Sequence, residues 1–459
     1  MSSSMLLLKP EEIETAEKRG KYTASVIGCG KNGVFHAYLF AEAGYKVTCV
    51  DLDQTIVNHV ARGRIPFLEA ERENKLRNHV KTGRVTATSD LKTAVSRSDI
   101  IIVTTPVRID DKRKPDYSVM ESTCKKVGQS LHRGSLVIIT EVTGIGIIES
   151  LVKELLENTS GLKVGTDLGL AYSPLSFSRE QTSEGLMKRE RIVAATDKNS
   201  LNAASSLLET VIRNLVRRTE SLKTAEAAIL LYEVQQNVNS ALLNEFALFC
   251  EKSGIDHSEV VKLISPAESS MTSMAKFSDG NGQRASRILL EDAENLNTRL
   301  RIPAIAMQVN EEIVGHTVNL VKEALRSCRK TLRRARVVIL GVSQTPNVRD
   351  SVKETINELV KTLESKGAKV SLYDPYFSGD ELPDMQKSFK KNLTEALEGT
   401  DCIVILTGHD QFERMNLRKL KALMKMPAAI VDVERILEPD KIEKEGFAYR
   451  GLGRGGLEK

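Results

Sequence analysis

The chain has 459 residues, 41% hydrophobic and 28% charged, with 66 basic against 61 acidic side chains. That length is too great for a single core and suggests about three domains, and the composition excludes extended disorder. A net charge of +5 spread over interleaved signs implies no nucleic-acid surface. Six cysteines, at 29, 49, 124, 250, 328 and 402, show no CxxC spacing, which argues against a zinc site or a disulfide framework. Leu6, Leu7 and Leu8 run into Pro10 and a charged stretch, far short of a signal-peptide core or a membrane span. The expectation is a cytoplasmic protein with no metal and no membrane partner.

In chain order, residues 10–18 predict a short surface helix. Ala24 to Ile27 then predicts a buried strand that ends at Gly28, Gly30 and Gly33. Glycines at this spacing supply a tight turn, a close backbone approach to a pyrophosphate and helix-to-sheet packing, and Asn32 sits among them. The helix that follows is apolar at Val34, Tyr38 and Ala41 and stops at Gly44, before Val47, Cys49 and Val50 form a second strand. Asp51 closes that strand about 20 residues past the glycines, where a carboxylate accepts hydrogen bonds from the ribose hydroxyls of NAD and repels the extra phosphate of NADP. NAD is therefore the expected cofactor.

Asp53 can cap the next helix, and helical patterns reach Lys81 before a strand near Val85 to Thr88. The continuous apolar run Ile100 to Val103 reads as a parallel strand and ends in Thr104, Thr105 and Pro106. Ligands of such sheets sit beyond the carboxyl ends of the strands, so these three residues are candidate cofactor contacts. Thr143 is another, after the buried run Leu136 to Thr140. A helix over Ile147 to Leu156 and strands at Ala171 to Pro174 and Ile192 to Ala195 follow.

From Leu222 to Cys250 the pattern becomes one long helix, with Ala227, Leu230 or Leu231, Val234, Val238, Leu242, Phe246 and Phe249 competing for one face. Such a stripe links two domains or packs against a partner subunit, and in either case reads as core. Helices at His257 to Ile264 and Pro303 to Cys328 flank a glycine-bearing loop, Phe277 to Ser286. The basic run from Arg326 to Arg336 reads as a solvated linker or a phosphate site. A second alternation of strands and helices then begins: Val337 to Leu340, a helix stripe at Ile356 to Leu363 capped by Gly367, then Val370 to Asp374, Cys402 to Leu406 and Ala429 to Asp432.

Two nucleotide-type domains around a long helix resemble the UDP-glucose/GDP-mannose dehydrogenase family. The resemblance covers nearly the whole chain from Ala24 and rests on GCGKNG with VDLD, TTP, TAEAAILLYEVQQNVNSALLNE, GVSQTPNVRDS, LYDPY and YRGLGR. It implies an α/β fold of two doubly wound Rossmann-like domains joined by a long central helix and helical segment. The NAD-binding domain would span 22–215, a central helical dimerisation domain 216–330, and a nucleotide-sugar-binding domain 331–459. It also implies a homodimer and oxidation of a sugar alcohol to a carboxylate with two NAD.

The family's chemistry uses a cysteine thiol to hold the intermediate aldehyde. Laying its GxGxGGxC loop on Gly280 and Gly282 puts Arg287 at that cysteine. The family's central-helix lysine and asparagine fall on Ile229 and Glu233, its PE glutamate on Leu175, and the aspartate after the cysteine on Glu291 or Asp292. In the second domain Thr345 stands where a lysine is common. Lys353, Glu354 and Thr355 replace an Arg-Glu-Ser run, and Glu434 stands near an expected arginine with Arg435 beside it. These departures assign no catalytic residue. They leave two readings: an NAD-dependent oxidoreductase acting with altered chemistry on the CH–OH group of a nucleotide sugar such as a UDP-sugar, or a non-catalytic protein, a pseudoenzyme, that binds NAD or a nucleotide sugar. Gly280, Gly282, Arg284 and Arg287 are the candidate substrate contacts. The two guanidinium forks could hold a diphosphate or could be surface charge.

Overall fold

The computed structural model describes residues 4–64, 70–175, 190–212, 215–264, 280–349, 352, 353, 355–379 and 383–454. They fall into two compact units, Met1–Val234 with Arg284–Arg299, and Gln235–Gln283 with Leu300–Lys459.

The first unit is built on strands β1 (Thr23–Ile27), β2 (Lys46–Val50), β3 (Val85–Thr88) and β4 (Ile100–Val103), a short hairpin of β5 (Arg108–Ile109) and β6 (Pro115–Asp116), and β7 (Leu136–Ile139), β8 (Gly169–Tyr172), β9 (Arg191–Ala195) and β10 (Val216–Thr219). All but the hairpin join one eight-stranded sheet in the order β10-β9-β8-β7-β4-β1-β2-β3. The order reverses direction between β1 and β4, the place where doubly wound sheets open a ligand crevice. Strands β4, β7 and β8 are buried along their whole length, so continuous apolar runs rather than alternation mark them. Strand β9 pairs antiparallel with β8, which the sequence pattern did not reveal, since both runs are buried on two faces.

The expected surface helix over 10–18 is instead a 3₁₀ turn, Pro10–Glu12, and a four-residue helix, Ala16–Arg19. Thr15 caps the second by accepting the Lys18 N–H, which starts a new helix in mid-segment. The expected cap at Asp53 forms, its carboxylate accepting the Thr55 N–H at 2.7 Å.

In the second unit β11 (Arg336–Leu340), β12 (Lys369–Tyr373), β13 (Cys402–Ile405), β14 (Ala429–Asp432) and β15 (Ala448–Gly451) form a parallel sheet in the order β12-β11-β13-β14-β15. Helix Arg301–Ser327 packs its apolar face, Ile313, Val314, Val321 and Leu325 among others, on this sheet's core. From the basic run, Lys330 is held by Asp401 at 2.7 Å and is a structural ion pair rather than a solvated charge.

Two expectations are corrected. The glycine-bearing loop is not a loop where it is described: residues 277–279 lie outside the described residues, and Gly280–Asn295 is a helix. Burial of Gln283, Ala285, Ser286 and Ile288 outweighs the poor helix propensity of its two glycines. The central helix, Leu222–Ser253, buries the predicted stripe only in part: Leu230 and Val234 are buried, but its later members are not. Leu231, Leu242 and Phe249 are 65%, 59% and 58% exposed, whereas Glu226, Glu233, Asn237 and Asn244 are buried. Among the described residues no helix is long and apolar enough to cross a membrane.

Candidate dinucleotide site

The turn after β1 has the geometry its glycines predict. Gly28 has φ +94°, a conformation that L side chains rarely adopt, and its carbonyl accepts the Thr104 hydroxyl at 2.7 Å. A Cβ on Gly33 would stand 1.8 Å from the Gly28 carbonyl oxygen, so only glycine lets helix Lys31–Ala43 begin so close to the strand. A Cβ on Gly30 would meet nothing within 4 Å. This open side lies at the helix N-terminus, where free amides and the helix dipole favour an anion.

At the end of β2, Asp51 closes the same turn. Its Oδ2 accepts the Cys29 N–H at 2.7 Å and its Oδ1 the Asp53 N–H at 3.0 Å. A carboxylate offers about four lone-pair positions, which leaves room for ribose hydroxyls. Beyond β4, Thr105 is buried and its hydroxyl has no hydrogen-bond partner among the described residues, while Pro106 is exposed. Thr104 is committed to the glycine turn. Open space at Gly30 and an orphaned buried hydroxyl at Thr105 fit a dinucleotide whose pyrophosphate sits on the turn.

Behind the turn lies a buried polar network. His36 Nδ1 donates to the Asn32 carbonyl at 2.8 Å, so its Nε2 is an acceptor and faces Arg191 at 3.4 Å. Burial, helped by the Arg191 charge, pushes the imidazole down to about 3 and keeps it neutral. Arg191 also donates to the Ser173 carbonyl at 2.9 Å, which ties the end of β8 to the first turn of the helix. The Asn32 amide donates to Glu141 Oε1 at 2.6 Å and reaches the Leu175 carbonyl at 3.5 Å.

Three side chains from separate segments capture the loop after β7. Glu226, on the central helix, accepts the N–H groups of Gly146 at 2.6 Å and Ile148 at 2.9 Å, with a longer bond from the Thr143 hydroxyl at 3.4 Å. Thr143 is thus fully buried against Glu226. Asp292 accepts the Ile145 N–H at 2.8 Å, and the Tyr117 hydroxyl accepts that of Gly144 at 2.9 Å. Burial raises the Glu226 carboxyl to about 7 against the pull of those hydrogen bonds, and raises Asp292 as well. Sequence reasoning assigned no role to Glu226 or Tyr117, because nothing local links positions 117, 143–148, 226 and 292.

Ile229 and Glu233 are buried on the central helix, and Leu175 is buried after β8. Gly280 and Gly282 lie in the first turn of helix Gly280–Asn295, with the half-buried Arg284 and Arg287 three residues apart further along it. All six cysteines are free and buried. Burial raises the thiols of Cys124, Cys250, Cys328 and Cys402, the reverse of an activated nucleophile.

The second unit has its own polar node at the strand ends. His409 Nε2 faces Ser343 Oγ at 3.0 Å and Asp374 Oδ2 at 3.2 Å, while its Nδ1 accepts the Asn347 N–H at 2.9 Å. One ring nitrogen serves both serine and aspartate, so this is a clamp on the loop after β11 and not a nucleophilic triad. Burial alone would raise Asp374, but His409 and the backbone N–H groups of Ser343 and Tyr376 outweigh it and bring the carboxyl down to about 2. Lys353 is buried with Glu434 at 3.7 Å, so the two charges offset each other; Glu354 lies outside the described residues.

A mostly parallel sheet with a glycine turn at its switch point, followed by a second, parallel sheet, defines a two-sheet α/β dinucleotide-binding protein. Residues 22–212 match the NAD binding domain of the UDP-glucose/GDP-mannose dehydrogenase family, and residues 338–439 match its UDP binding domain. The chain belongs to this family, and NAD is its cofactor. It is 28% identical over 436 residues to a UDP-N-acetyl-D-mannosamine dehydrogenase of Pyrococcus horikoshii, covering 94% of this chain and 99% of that one. It is 25% identical over 456 residues to a UDP-glucose 6-dehydrogenase of Rhizobium meliloti, covering 94% and 99%. Among solved structures it is similar to a UDP-D-ManNAc dehydrogenase from Pyrococcus horikoshii, with TM-score 0.82, 25% identity and coverage of 95% and 100%.

Proposed function

We propose that this protein is an NAD-dependent oxidoreductase that oxidises a CH–OH group of a nucleotide sugar, of the UDP-sugar class, by two electrons and stops at the carbonyl. The observation that carries this reading is a complete dinucleotide cradle in a chain with Arg287 at the family's cysteine position and every cysteine buried. The names of its relatives and the match to a UDP binding domain support the substrate class. Without a thiol to hold an aldehyde as a covalent adduct, a second hydride transfer loses its route. Asp51 and the turn from Gly28 to Gly33 hold NAD in this reading, and Arg284 and Arg287, neighbours on one helical face, bind the substrate diphosphate.

Purified protein mixed with NAD and a panel of UDP-sugars should produce NADH and a carbonyl product by mass spectrometry. A nucleotide uronic acid would sink the proposal. Arg287→Ala should weaken nucleotide-sugar binding, and an unchanged affinity would return that arginine to surface charge. NAD binding with no NADH from any sugar would favour the second reading, a non-catalytic binding protein, which Leu175 and Ile229 at catalytic positions support.

The same reading makes 216–330 a dimerisation segment between an NAD-binding domain over 22–215 and a nucleotide-sugar-binding domain over 331–459. Its support is the outward apolar face of the central helix, where Phe246 and Phe249 stack at 5.8 Å between ring centroids. Exposed aliphatic and aromatic side chains along a helix mark a covered surface, and two-fold pairing covers it on both copies. Light scattering should give a dimer mass at micromolar concentration, and a monomer mass would rule the interface out.

A further inference from the structure

Glu141 lies two residues beyond β7. From β2, where Asp51 sits, the sheet order runs through β1 and β4 to β7, three strand spacings or roughly 14 Å away. A dinucleotide with its pyrophosphate on the β1 turn and its adenosine ribose at Asp51 extends its other half over β4 and β7. Glu141 therefore stands on the nicotinamide side. Its side chain is buried; Oε1 takes the Asn32 amide at 2.6 Å, the Arg284 charge acts on the carboxyl, and Oε2 is the second acceptor of the group. Burying a carboxylate at a ligand crevice is costly for folding alone, even with one amide hydrogen bond.

A second observation concerns Leu175, where the family carries a glutamate. The Asn32 amide that holds Glu141 also reaches the Leu175 carbonyl at 3.5 Å. The acid lost from the segment after β8 thus has a counterpart after β7, within reach of the same asparagine.

We propose that Glu141 is the catalytic base of this protein, placed against the nicotinamide end of the NAD site, and the proposal rests on the oxidoreductase reading above. As the sugar carbon gives its hydride to NAD, the hydroxyl O–H bond breaks, its proton passes to Glu141 Oε2 and the C=O bond forms; the carboxyl then returns the proton to solvent. Burial raises the Glu141 carboxyl, while Arg284 and the Asn32 hydrogen bond oppose the rise, so it titrates above the ordinary carboxylate range. Tyr172 on β8 lies in the field of both Glu141 and Glu226. A base tuned upward in this way is better matched to a hydroxyl proton than an ordinary carboxylate.

The test uses Glu141→Gln, which keeps an oxygen for Asn32 and nearly the same volume. Calorimetry at pH 6 in two buffers of different ionisation enthalpy counts protons exchanged on binding. NAD brings a cationic ring and NADH a neutral one, so wild-type protein should release more protons with NAD than with NADH, and the variant should show no difference. A difference that survives in Glu141→Gln overturns the placement, as does its absence in the wild type. In turnover the variant should lose about 100-fold or more in kcat with KM little changed, and Glu141→Asp should recover part of it; a kcat near wild type overturns the catalytic role. A wild type that oxidises no sugar defeats the oxidoreductase reading and the base role with it, while the proton count still decides whether Glu141 faces the ring. Unchanged thermal unfolding of the variant separates either result from misfolding.

Discussion

Gly33→Ala is expected to abolish measurable NAD binding. The added Cβ would sit 1.8 Å from the Gly28 carbonyl oxygen and 2.9 Å from the Thr104 hydroxyl. The first of these is backbone and cannot rotate away. Relief requires helix Lys31–Ala43 to back off the strand, which carries the N-terminal amides away from the pyrophosphate position. Overpacking of this kind costs roughly 1–3 kcal/mol in stability, with this site at the upper end. Asp51→Ala should be milder, weakening NAD by about 1 to 3 kcal/mol, roughly 5- to 150-fold, if the ribose hydrogen bonds are direct. It should also narrow the preference for NAD over NADP, since the carboxylate supplies the repulsion. Isothermal calorimetry of both variants with both cofactors decides. Tight NAD binding by Gly33→Ala would mean that the turn is not the pyrophosphate cradle, and an unchanged preference in Asp51→Ala would remove that residue from the ribose.

Glu226→Ala should be the most destabilising single carboxylate substitution in the first unit. It leaves the N–H groups of Gly146 and Ile148, both in buried residues, without their acceptor. Each orphaned donor costs about 1–3 kcal/mol, so a loss of roughly 2–6 kcal/mol is expected from a domain whose whole stability is about 5–15 kcal/mol. The loop after β7, one wall of the cofactor crevice, should then exchange its amide hydrogens faster. The same group makes stability depend on pH. Its folded carboxyl titrates at about 7 and its unfolded one near 4.3, so the folded state holds the extra proton between those values. That contribution is complete below about 4.3, declines as pH rises and is gone above 7. Asp432, raised by burial to about 6, acts in the same direction in the second unit, and Asp374 acts oppositely only in stronger acid. Urea unfolding from pH 4.5 to 8 should show wild-type stability falling, with a shallower fall in Glu226→Gln. Parallel pH profiles for the two proteins would show that Glu226 is ionised throughout.

The cofactor half of the site was legible because its signals are local. The Gly28, Gly30 and Gly33 spacing, the strand before it and Asp51 after it all lie within 30 residues, and each answers to a backbone constraint that acts on its own neighbours. The apolar runs of β4, β7 and β13 were equally plain, since strands buried on both faces need no partner to declare themselves. Tertiary structure alone decided the rest. Helix Gly280–Asn295 overrides its own glycines because burial of its other side chains outweighs their propensity, and the central helix turns Glu226, Glu233, Asn237 and Asn244 inward and Phe246 and Phe249 outward, which periodicity cannot distinguish from the reverse. Glu141, Glu226 and Asp292 are ordinary acids in the sequence. Their raised titration and their grip on Asn32 and on the β7 loop arise from desolvation and from hydrogen bonds across up to 147 residues of chain, and both exist only once the fold has closed around them.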